Sequence, residues 1–205
     1  MNQSLEKIKV KNGEILPLMD TFSTIQGEGF HSGRSAHFLR IGGCDIGCHW
    51  CDIKESWNSD LYPLVKIANI IETINPLTDL IIISGGEPLI WNMMPLTDAL
   101  KKMNKKVHLE TSGAYPLSGY WDWICLSPKK NKPPIPELFE KADELKIIVH
   151  NKHDLTFAKQ NAKYVERDCI LFLQPEWSVK KKVMPLIGKF ILENPNWRLS
   201  LQTHK

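Results

Sequence analysis

The chain has 205 residues, 42% of them apolar, which suffices for a full core in one domain spanning residues 1–205. Its formal net charge is +3, and the lysines form short separate groups without interleaved aromatic residues, which argues against a nucleic-acid partner. The sequence shows neither a signal-peptide core nor a run of about 20 apolar residues, so we expect a cytoplasmic protein that does not bind membranes.

Short apolar runs alternate along the chain with segments of helical periodicity, a pattern typical of an α/β fold with βα units around a mostly parallel sheet. The predicted strands, in chain order, are 15–22, 36–41, 80–84, 107–110, 123–127, 144–149, 170–173 and 198–201. Two amphipathic helices are predicted, one carrying Leu64, Ile67, Ala68, Ile71 and Ile74 and the other carrying Leu96, Ala99, Leu100 and Met103. The proline-rich stretch 128–136 is predicted to be a loop.

Three of the five cysteines lie within eight residues. Cys44, Cys48 and Cys51 follow a CxxxCxxC spacing in a glycine-bearing loop. Iron-sulfur clusters are usually held by four thiolates, so a three-cysteine set leaves one iron free to bind a small molecule. The alternative is a zinc site completed by His49 or a remote residue. Cys125 and Cys169 lie in apolar runs and are predicted to be buried core thiols.

A glycine pair directly follows the predicted strand 80–84, in the sequence Ser-Gly-Gly-Glu-Pro at residues 84–88. Ligands of parallel α/β sheets bind at the carboxyl ends of the strands, where bare backbone groups can hold an ammonium and a carboxylate. Polar turns also follow other strands, at residues 110–113, 127–129 and 174–176. We expect these four turns to converge on one rim.

The three-cysteine loop followed by this turn resembles the radical S-adenosylmethionine superfamily. Residues 22–29 (Phe-Ser-Thr-Ile-Gln-Gly-Glu-Gly) narrow the resemblance to the 7-carboxy-7-deazaguanine synthase family. The segments that complete the resemblance are 38–40, 110–113, 127–129 and 201–205. It spans nearly the whole chain and implies an abbreviated, partial TIM-like barrel of βα units with a cluster-binding loop.

The resemblance implies a carbon-nitrogen lyase in 7-deazapurine (queuosine precursor) biosynthesis. Cys44, Cys48 and Cys51 would hold a 4Fe-4S cluster whose free iron chelates S-adenosyl-L-methionine. A radical derived from this cofactor would abstract hydrogen from 6-carboxy-5,6,7,8-tetrahydropterin, which contracts its ring and loses ammonia to give 7-carboxy-7-deazaguanine. A flavodoxin-like or other reductant would supply the electron. A homodimer is also expected, with Trp57, Trp91 and Trp121 as exposed aromatic residues on its surface.

The family pattern also assigns residues to ligands. Glu28 and Arg40 are the candidate catalytic residues, and the Arg40 guanidinium suits the substrate carboxylate because it offers two parallel donors. The candidate substrate-binding residues are Ile25, Gln26, Gly27, Glu28, Arg40 and Thr111. The candidate cofactor-binding residues are Trp50, Asp52, Gly85, Gly86, Glu87, Gly113, Ser127, Pro128, Lys129, Gln174, Pro175, Glu176 and Trp177.

The chain departs from the family pattern at Ile53. Many members have a hydroxyl residue there, which helps to hold a magnesium ion that bridges to the substrate. An aliphatic side chain cannot ligate Mg²⁺, which requires oxygen donors. We therefore expect a weakened or lost magnesium requirement, with the ion absent, held by water and backbone, or held through Asp52 or Glu55. Relatives also run a few residues past this terminus, so a short tail beyond Lys205 is expected, with a naturally shorter chain as the alternative.

Two other functions remain open at this stage. The first is a radical S-adenosylmethionine activase that makes a glycyl radical on a partner protein, since such enzymes use the same cysteine spacing. Residues 26–29 and Arg40 favour a small anionic substrate over a polypeptide. The second is a non-catalytic, zinc-stabilised regulatory protein that keeps the fold.

Overall fold

The computed structural model describes residues 3–205. The strands are β1 (Ile15–Ile25), β2 (Ser35–Ile41), β3 (Leu64–Lys66), β4 (Leu80–Gly85), β5 (Lys106–Thr111), β6 (Trp123–Leu126), β7 (Glu144–Val149), β8 (Ile170–Pro175) and β9 (Trp197–Leu199). The helices are α1 (Gln3–Lys11), α2 (Ile67–Glu72), α3 (Met94–Lys102), α4 (Pro136–Glu140), α5 (His153–Asn161) and α6 (Lys180–Glu193). Among the described residues, no helix has the length and apolar character needed to cross a membrane.

The nine strands form one sheet in the order β3-β1-β2-β4-β5-β6-β7-β8-β9. β1 pairs antiparallel with β2 and β3, and every neighbouring pair from β2 to β9 is parallel. Within residues 3–205, β3 and β9 remain unpaired edges, so the barrel is open. The predicted α/β class and partial barrel are confirmed.

The two faces of the strands differ in chemistry because successive side chains point to opposite sides of a sheet. On β5, Val107 and Leu109 are fully buried in the main apolar core, which also contains Leu96 and Leu100 of α3. Glu110, the residue after Leu109, lines a cavity on the other face, and Arg40 of β2 lines the same cavity. The helices therefore cover an apolar outer face, while the inner face carries polar groups.

The predicted strands are all present, with bounds that differ by up to three residues. β1 extends to Ile25, and β9 ends at Leu199, so Leu201 lies outside it. The three-residue strand β3 was not predicted, and it contains Leu64, which was wrongly assigned to a helix. That helix spans only Ile67–Glu72 because the chain first adds an edge strand to β1.

The second predicted helix is confirmed as α3, with Met103 at its C-cap. Helices α1, α4, α5 and α6 were not predicted. Stretch 128–136 is a loop up to Ile135, where α4 begins at Pro136. Cys125 and Cys169 are buried as predicted.

The three tryptophans expected at the surface are half-buried. The indole N–H of Trp91 donates to the Gly42 carbonyl at 2.8 Å, and that of Trp121 donates to the Ser118 carbonyl at 3.0 Å. These bonds fix both rings against the protein's own loops, and Trp57 lines the inner cavity. The expectation of an exposed aromatic surface is therefore wrong.

Candidate active site

A cavity of about 400 Å³ opens at the carboxyl ends of the parallel strands. It brings together nineteen of the predicted site residues, drawn from all four polar turns, the cysteine loop and the β1–β2 connection. These are Ile25, Gln26, Gly27, Glu28, Arg40, Cys44, Cys48, Trp50, Cys51, Asp52, Gly85, Gly86, Glu87, Thr111, Ser127, Lys129, Gln174, Glu176 and Trp177.

Three predicted cofactor-binding residues are not part of the lining. Gly113 has a φ of +78°, and a Cβ there would lie 2.4 Å from Leu126 Cδ1, so it allows the turn after β5 to pack on the core. Pro128 is buried, and Pro175 is the last residue of β8, where it is aligned with Val149 of β7. These three residues therefore support the turns at the rim without lining the cavity themselves.

The cysteine loop is held at both ends by backbone hydrogen bonds. The N–H of Gly43 donates to the Ser56 carbonyl at 2.7 Å, and the N–H of Cys51 donates to the Cys48 carbonyl at 3.0 Å. On the outside, the Asn131 side chain donates to the Gly47 carbonyl at 3.0 Å, and Lys132 forms an ion pair with Asp45 at 2.7 Å. The loop is thus fixed without any covalent cross-link.

Cys44, Cys48 and Cys51 are free, half-buried thiols that line the same cavity. Burial raises the pKa of Cys44 to about 11 and also raises that of Cys48. Since the thiolate is the metal ligand, binding of a metal here must displace these protons. The donor set fits an iron-sulfur cluster ligated by three thiolates, with one iron open toward the cavity.

In this arrangement the three thiols do not surround one point that a single metal ion could occupy. Within residues 3–205, no group of three or more His, Cys, Asp or Glu side chains could hold a metal ion. A cluster does not require such convergence, because each thiolate binds a different iron. His49 is exposed, and its ring packs edge-on against His150 with a centroid distance of 5.3 Å.

The glycine turn after β4 packs directly on the cysteine loop. A Cβ at Gly86 would lie 2.1 Å from the Gly43 carbonyl oxygen and 3.0 Å from Cys44 Cβ. The N–H of Gly86 donates to the Ile41 carbonyl and that of Glu87 to the Gly43 carbonyl, each at 2.9 Å. Only a glycine therefore lets the two loops approach this closely, which places bare backbone beside the cluster ligands.

Glu87 is 1% exposed, and its carboxylate accepts hydrogen bonds from the neighbouring turn. It accepts from Thr111 Oγ1 at 2.6 Å, from the Ser112 N–H at 2.7 Å and from the Leu89 N–H at 3.1 Å. The side chain predicted to receive the cofactor thus ties the end of β4 to the end of β5. Its contribution to the rim is to fix Thr111 and the glycine turn.

A buried ion-pair cluster forms one wall of the cavity. Lys146 of β7 lies 2.9 Å from Glu28 Oε2 and 2.9 Å from Glu110 Oε2. Burial acts to raise the pKa of Glu28, but the charge of Lys146 and hydrogen bonds from Lys146 and Gln202 lower it to about 2. Burial acts to lower the pKa of Lys146, but the acidic groups around it raise it well above its usual value.

Arg40 faces the cavity from β2. Its guanidinium lies 5.0 Å from the centre of the Phe22 ring. In the part of the chain that the structure describes, Arg40 forms no ion pair. A pairing with a surface acid, which would make the residue structural, is not seen. The guanidinium is available for an anionic ligand.

Lys129 connects the turn after β6 to the cysteine loop. Its Nζ donates to Ser127 Oγ at 2.6 Å and lies 5.5 Å from the centre of the Trp50 ring. Burial lowers the pKa of this lysine. Two of the predicted cofactor-binding segments therefore contact each other through a charged side chain.

The last residues described, 202–205, also belong to the site. The Thr203 N–H donates to the Gly27 carbonyl at 3.1 Å, and the Gln202 amide donates to Glu28 Oε1 at 3.0 Å. Lys205 forms an ion pair with Asp52 at 2.6 Å. These contacts place the segment against both the β1–β2 connection and the cysteine loop.

Sequence reasoning assigned no role to several residues that line the cavity, including Glu110, Lys146, Gln202, His204 and Lys205. Lys146 does give a signal, since it is a lone cation in an apolar run predicted to be a strand. Gln202, His204 and Lys205 give none beyond the family resemblance of that segment.

The position that departs from the family pattern lies in the site. Ile53 and Asp52 both line the cavity, whereas the exposed Glu55 does not. Of the two acids that were considered as substitutes for a hydroxyl ligand, only Asp52 is therefore in place. Its carboxylate is already paired with Lys205.

Comparisons with known proteins agree with this geometry. Residues 39–151 match the model of the Radical SAM superfamily. A 7-carboxy-7-deazaguanine synthase from Flavobacterium psychrophilum is 56% identical over 199 residues, which cover 97% of this chain and 95% of that protein. Another from Synechocystis is 41% identical over 190 residues, covering 92% and 91%. The crystal structure of QueE from Escherichia coli superposes with a TM-score of 0.84 at 29% identity, covering 97% of this chain and 99% of that one.

Proposed function

The chain belongs to the 7-carboxy-7-deazaguanine synthase family of radical S-adenosylmethionine enzymes, and we propose how its residues divide the work of the family's reaction. That reaction is the radical-mediated ring contraction of 6-carboxy-5,6,7,8-tetrahydropterin to 7-carboxy-7-deazaguanine, with loss of ammonia, in queuosine precursor biosynthesis. The observation that carries the proposal is the meeting of the three thiols, the glycine turn and the Arg40 guanidinium in one cavity.

Cys44, Cys48 and Cys51 would hold the 4Fe-4S cluster, and the half-buried glycine turn at Gly85 and Gly86, which lines the cavity, would receive the methionine end of S-adenosyl-L-methionine. When bound, the two cofactors supply the one-electron cleavage that starts radical chemistry. Ser127, Lys129, Gln174, Glu176 and Trp177 line the ribose and adenine side. The hydrogen bonds that Glu87 accepts from Thr111 and Ser112 hold the glycine turn against the end of β5.

The substrate occupies the wall formed by the β1–β2 connection. Arg40 binds its carboxylate by two parallel N–H donors, the strongest geometry for such a pair. Gln26, Gly27, Glu28 and Thr111 read the edge of the pterin ring. The protein's contribution is to orient the substrate and exclude water, so that the radical meets only its target.

The magnesium requirement is weakened or lost. Ile53 supplies no oxygen ligand at the position where a hydroxyl residue would help to hold the ion. Asp52 is the only acid among residues 52–55 that lines the cavity, and its carboxylate is already paired with Lys205. With these donors, we expect the reaction to depend on the ion weakly or not at all.

We also propose a cellular setting for this reaction. The protein works as a single radical S-adenosylmethionine core domain, residues 1–205, in the cytoplasm, where a flavodoxin-like or other reductant supplies its electron. The open side of the barrel, between the edges β3 and β9, suits a homodimer. The comparisons give no support to a glycyl-radical activase or to a zinc-stabilised regulatory protein.

The test is an anaerobic assay of reconstituted protein with S-adenosyl-L-methionine, a strong reductant and 6-carboxytetrahydropterin, with the product followed by mass spectrometry. Product and iron content should both disappear in Cys48→Ala. Cys169→Ala is the matched control, because this thiol lies in the apolar core and not at the cavity. Cleavage of S-adenosyl-L-methionine without deazaguanine would overturn the substrate, and failure to assemble a cluster would overturn the family chemistry.

A further inference from the structure

Lys146 lies in the wall of the active-site cavity with almost no contact with water. Its side chain is 5% exposed, and its Nζ forms ion pairs with Glu28 and Glu110, each at 2.9 Å. All three residues line the cavity. Removing a lysine from water is costly unless charged partners replace the lost hydration. Two carboxylates take the place of the lost hydration, and the formal charges of Lys146, Glu28 and Glu110 sum to −1.

Other ionisable groups also lie near this lysine. Burial raises the pKa of Glu144, on the same strand, and burial also raises that of the Cys125 thiol on β6 well above its usual value. Lys129, from the turn after β6, is held by Ser127 beside Trp50. The carboxylates in direct contact with Lys146 are those of Glu28 and Glu110.

The two carboxylates are positioned by further hydrogen bonds. Gln26 Nε2 donates to Glu110 Oε1 at 3.4 Å, and Gln202 Nε2 donates to Glu28 Oε1 at 3.0 Å. An ionised carboxylate offers about four acceptor sites, so both groups keep acceptors free. Half-buried acceptors that face a cavity favour a ligand that brings N–H donors.

We propose that Lys146 is a positioning residue that aligns Glu28 and Glu110 as a pair of acceptors for the N–H donors of the substrate's aminopyrimidine edge. This inference rests on the proposed function, because a tetrahydropterin carries such an edge opposite its carboxylate-bearing ring. It adds Glu110 to the substrate-reading residues and gives Lys146 a role in specificity. Lys146 acts through the two carboxylates and does not itself need to touch the substrate.

The role requires a positive charge at residue 146. Without it, two carboxylates would share one half-buried site, and such pairs do not both ionise readily. One of them would take up a proton and present an O–H donor where the substrate also presents a donor. Substrate binding would then improve as the pH rises and that proton is lost.

The test is calorimetric titration of 6-carboxytetrahydropterin into unreduced holoenzyme with S-adenosyl-L-methionine bound, from pH 6 to 9. The affinity of the wild-type protein is expected to be nearly constant. Lys146→Met should bind at least roughly tenfold more weakly at pH 6 and recover part of the loss toward pH 9. Lys146→Arg keeps the charge, so its affinity should stay constant with pH even if the larger side chain weakens binding.

Lys105 provides the matched control, since it is a second buried lysine and lies outside the cavity lining. Its Nζ donates to the carbonyls of Thr78 at 2.8 Å and Pro76 at 3.0 Å. Lys105→Met should lower stability and leave substrate affinity and its pH profile unchanged. Iron content and substrate-free cleavage of S-adenosyl-L-methionine show whether each variant is correctly assembled.

A flat pH profile with unchanged affinity in Lys146→Met would overturn the inference, as would the same pH dependence in Lys146→Arg. If Lys146→Met does not assemble, Lys146→Gln takes its place, because glutamine removes the charge but keeps a polar side chain; a flat pH profile with unchanged affinity in that variant would likewise overturn the inference. Failure of the wild-type protein to bind the pterin would overturn the proposed function together with the inference. If the wild-type protein binds the pterin normally, a failed prediction for the Lys146 variants counts against the inference and not against the proposed function.

Discussion

The guanidinium of Arg40 lies 5.0 Å from the centre of the Phe22 ring, and Phe22 in turn stacks on Phe38 with a centroid distance of 5.5 Å. A guanidinium is planar and weakly hydrated, so it packs on an aromatic face while its N–H groups stay free for an anion. Lysine offers only a point charge in the same place. The two aromatic rings therefore fix the orientation of the group that we assign to the substrate carboxylate.

Replacing Arg40 by lysine should weaken substrate binding more than it slows the reaction. Losing one of two parallel charged hydrogen bonds costs about 1.5–3 kcal/mol, which is roughly a 10- to 100-fold rise in KM. Steady-state kinetics on the reconstituted enzyme measure this effect. Arg198→Lys is the control, because Arg198 is exposed on β9 away from the cavity. An Arg40→Lys variant with wild-type KM would show that the carboxylate binds elsewhere.

Gly86→Ala should disrupt the contact between the glycine turn and the cysteine loop. The added Cβ would lie 2.1 Å from the Gly43 carbonyl oxygen, a backbone atom that cannot move aside without shifting Cys44. We expect loss of S-adenosyl-L-methionine binding and a lower melting temperature of the holoenzyme. Both are measured directly, by titration and by thermal unfolding under anaerobic conditions.

Replacing Gly188 by alanine should have the opposite effect on stability. It lies within α6, and a Cβ there meets no atom within 4 Å. Gly188→Ala should therefore stabilise the protein by about 0.5–1 kcal/mol, because alanine loses less backbone entropy in a helix. Equal losses in the two variants would contradict the steric argument at Gly86.

The periodicity of the sequence was sufficient for the strands that carry the site. β4 begins with four consecutive apolar residues, which is typical of a parallel strand buried on both faces, and β7 ends with three. β3 was missed because three residues are too few to show a period, and pairing with β1 overrides the helical pattern that begins at Leu64. Helices such as α5 were missed because polar residues interrupt their apolar stripe.

The residues of the site likewise fall into those that the sequence could identify and those that it could not. The cysteine loop and the glycine turn could be found because their chemistry depends on residues close in sequence. The cluster of Glu28, Lys146 and Glu110 joins three distant segments, and its meaning depends on which face of each strand points into the barrel. Glu87 was predicted at the site, but only the structure shows that its carboxylate is held by the turn after β5.

His108, which does not line the cavity, should make the stability of the fold depend on pH. Burial and the nearby positive groups lower its pKa from 6.5 to about 3, and it lies in an aromatic cluster with His31 and Trp123. A group with a lowered folded-state pKa stabilises the fold above its unfolded pKa, and that contribution is lost as the pH falls toward the folded value. Between pH 7.5 and 5.5 the loss should be about 1 kcal/mol.

His108→Phe should remove that part of the pH dependence while keeping an aromatic ring in the cluster. Thermal unfolding of the holoenzyme at pH 7.5 and 5.5, in the variant and the wild type, measures it. A difference between the two pH values that is the same in both proteins would show that other groups carry the dependence.

Ile53 should make the reaction insensitive to chelation of magnesium. The side chain lines the cavity and offers no oxygen, so adding EDTA is expected to leave the rate of pterin conversion unchanged. Ile53→Thr restores a hydroxyl group and should introduce stimulation by Mg²⁺. Ile53→Val is the matched control, because valine has nearly the shape of threonine without its oxygen. A strict magnesium requirement in the wild-type enzyme would show that Asp52 or backbone groups hold the ion in spite of Ile53.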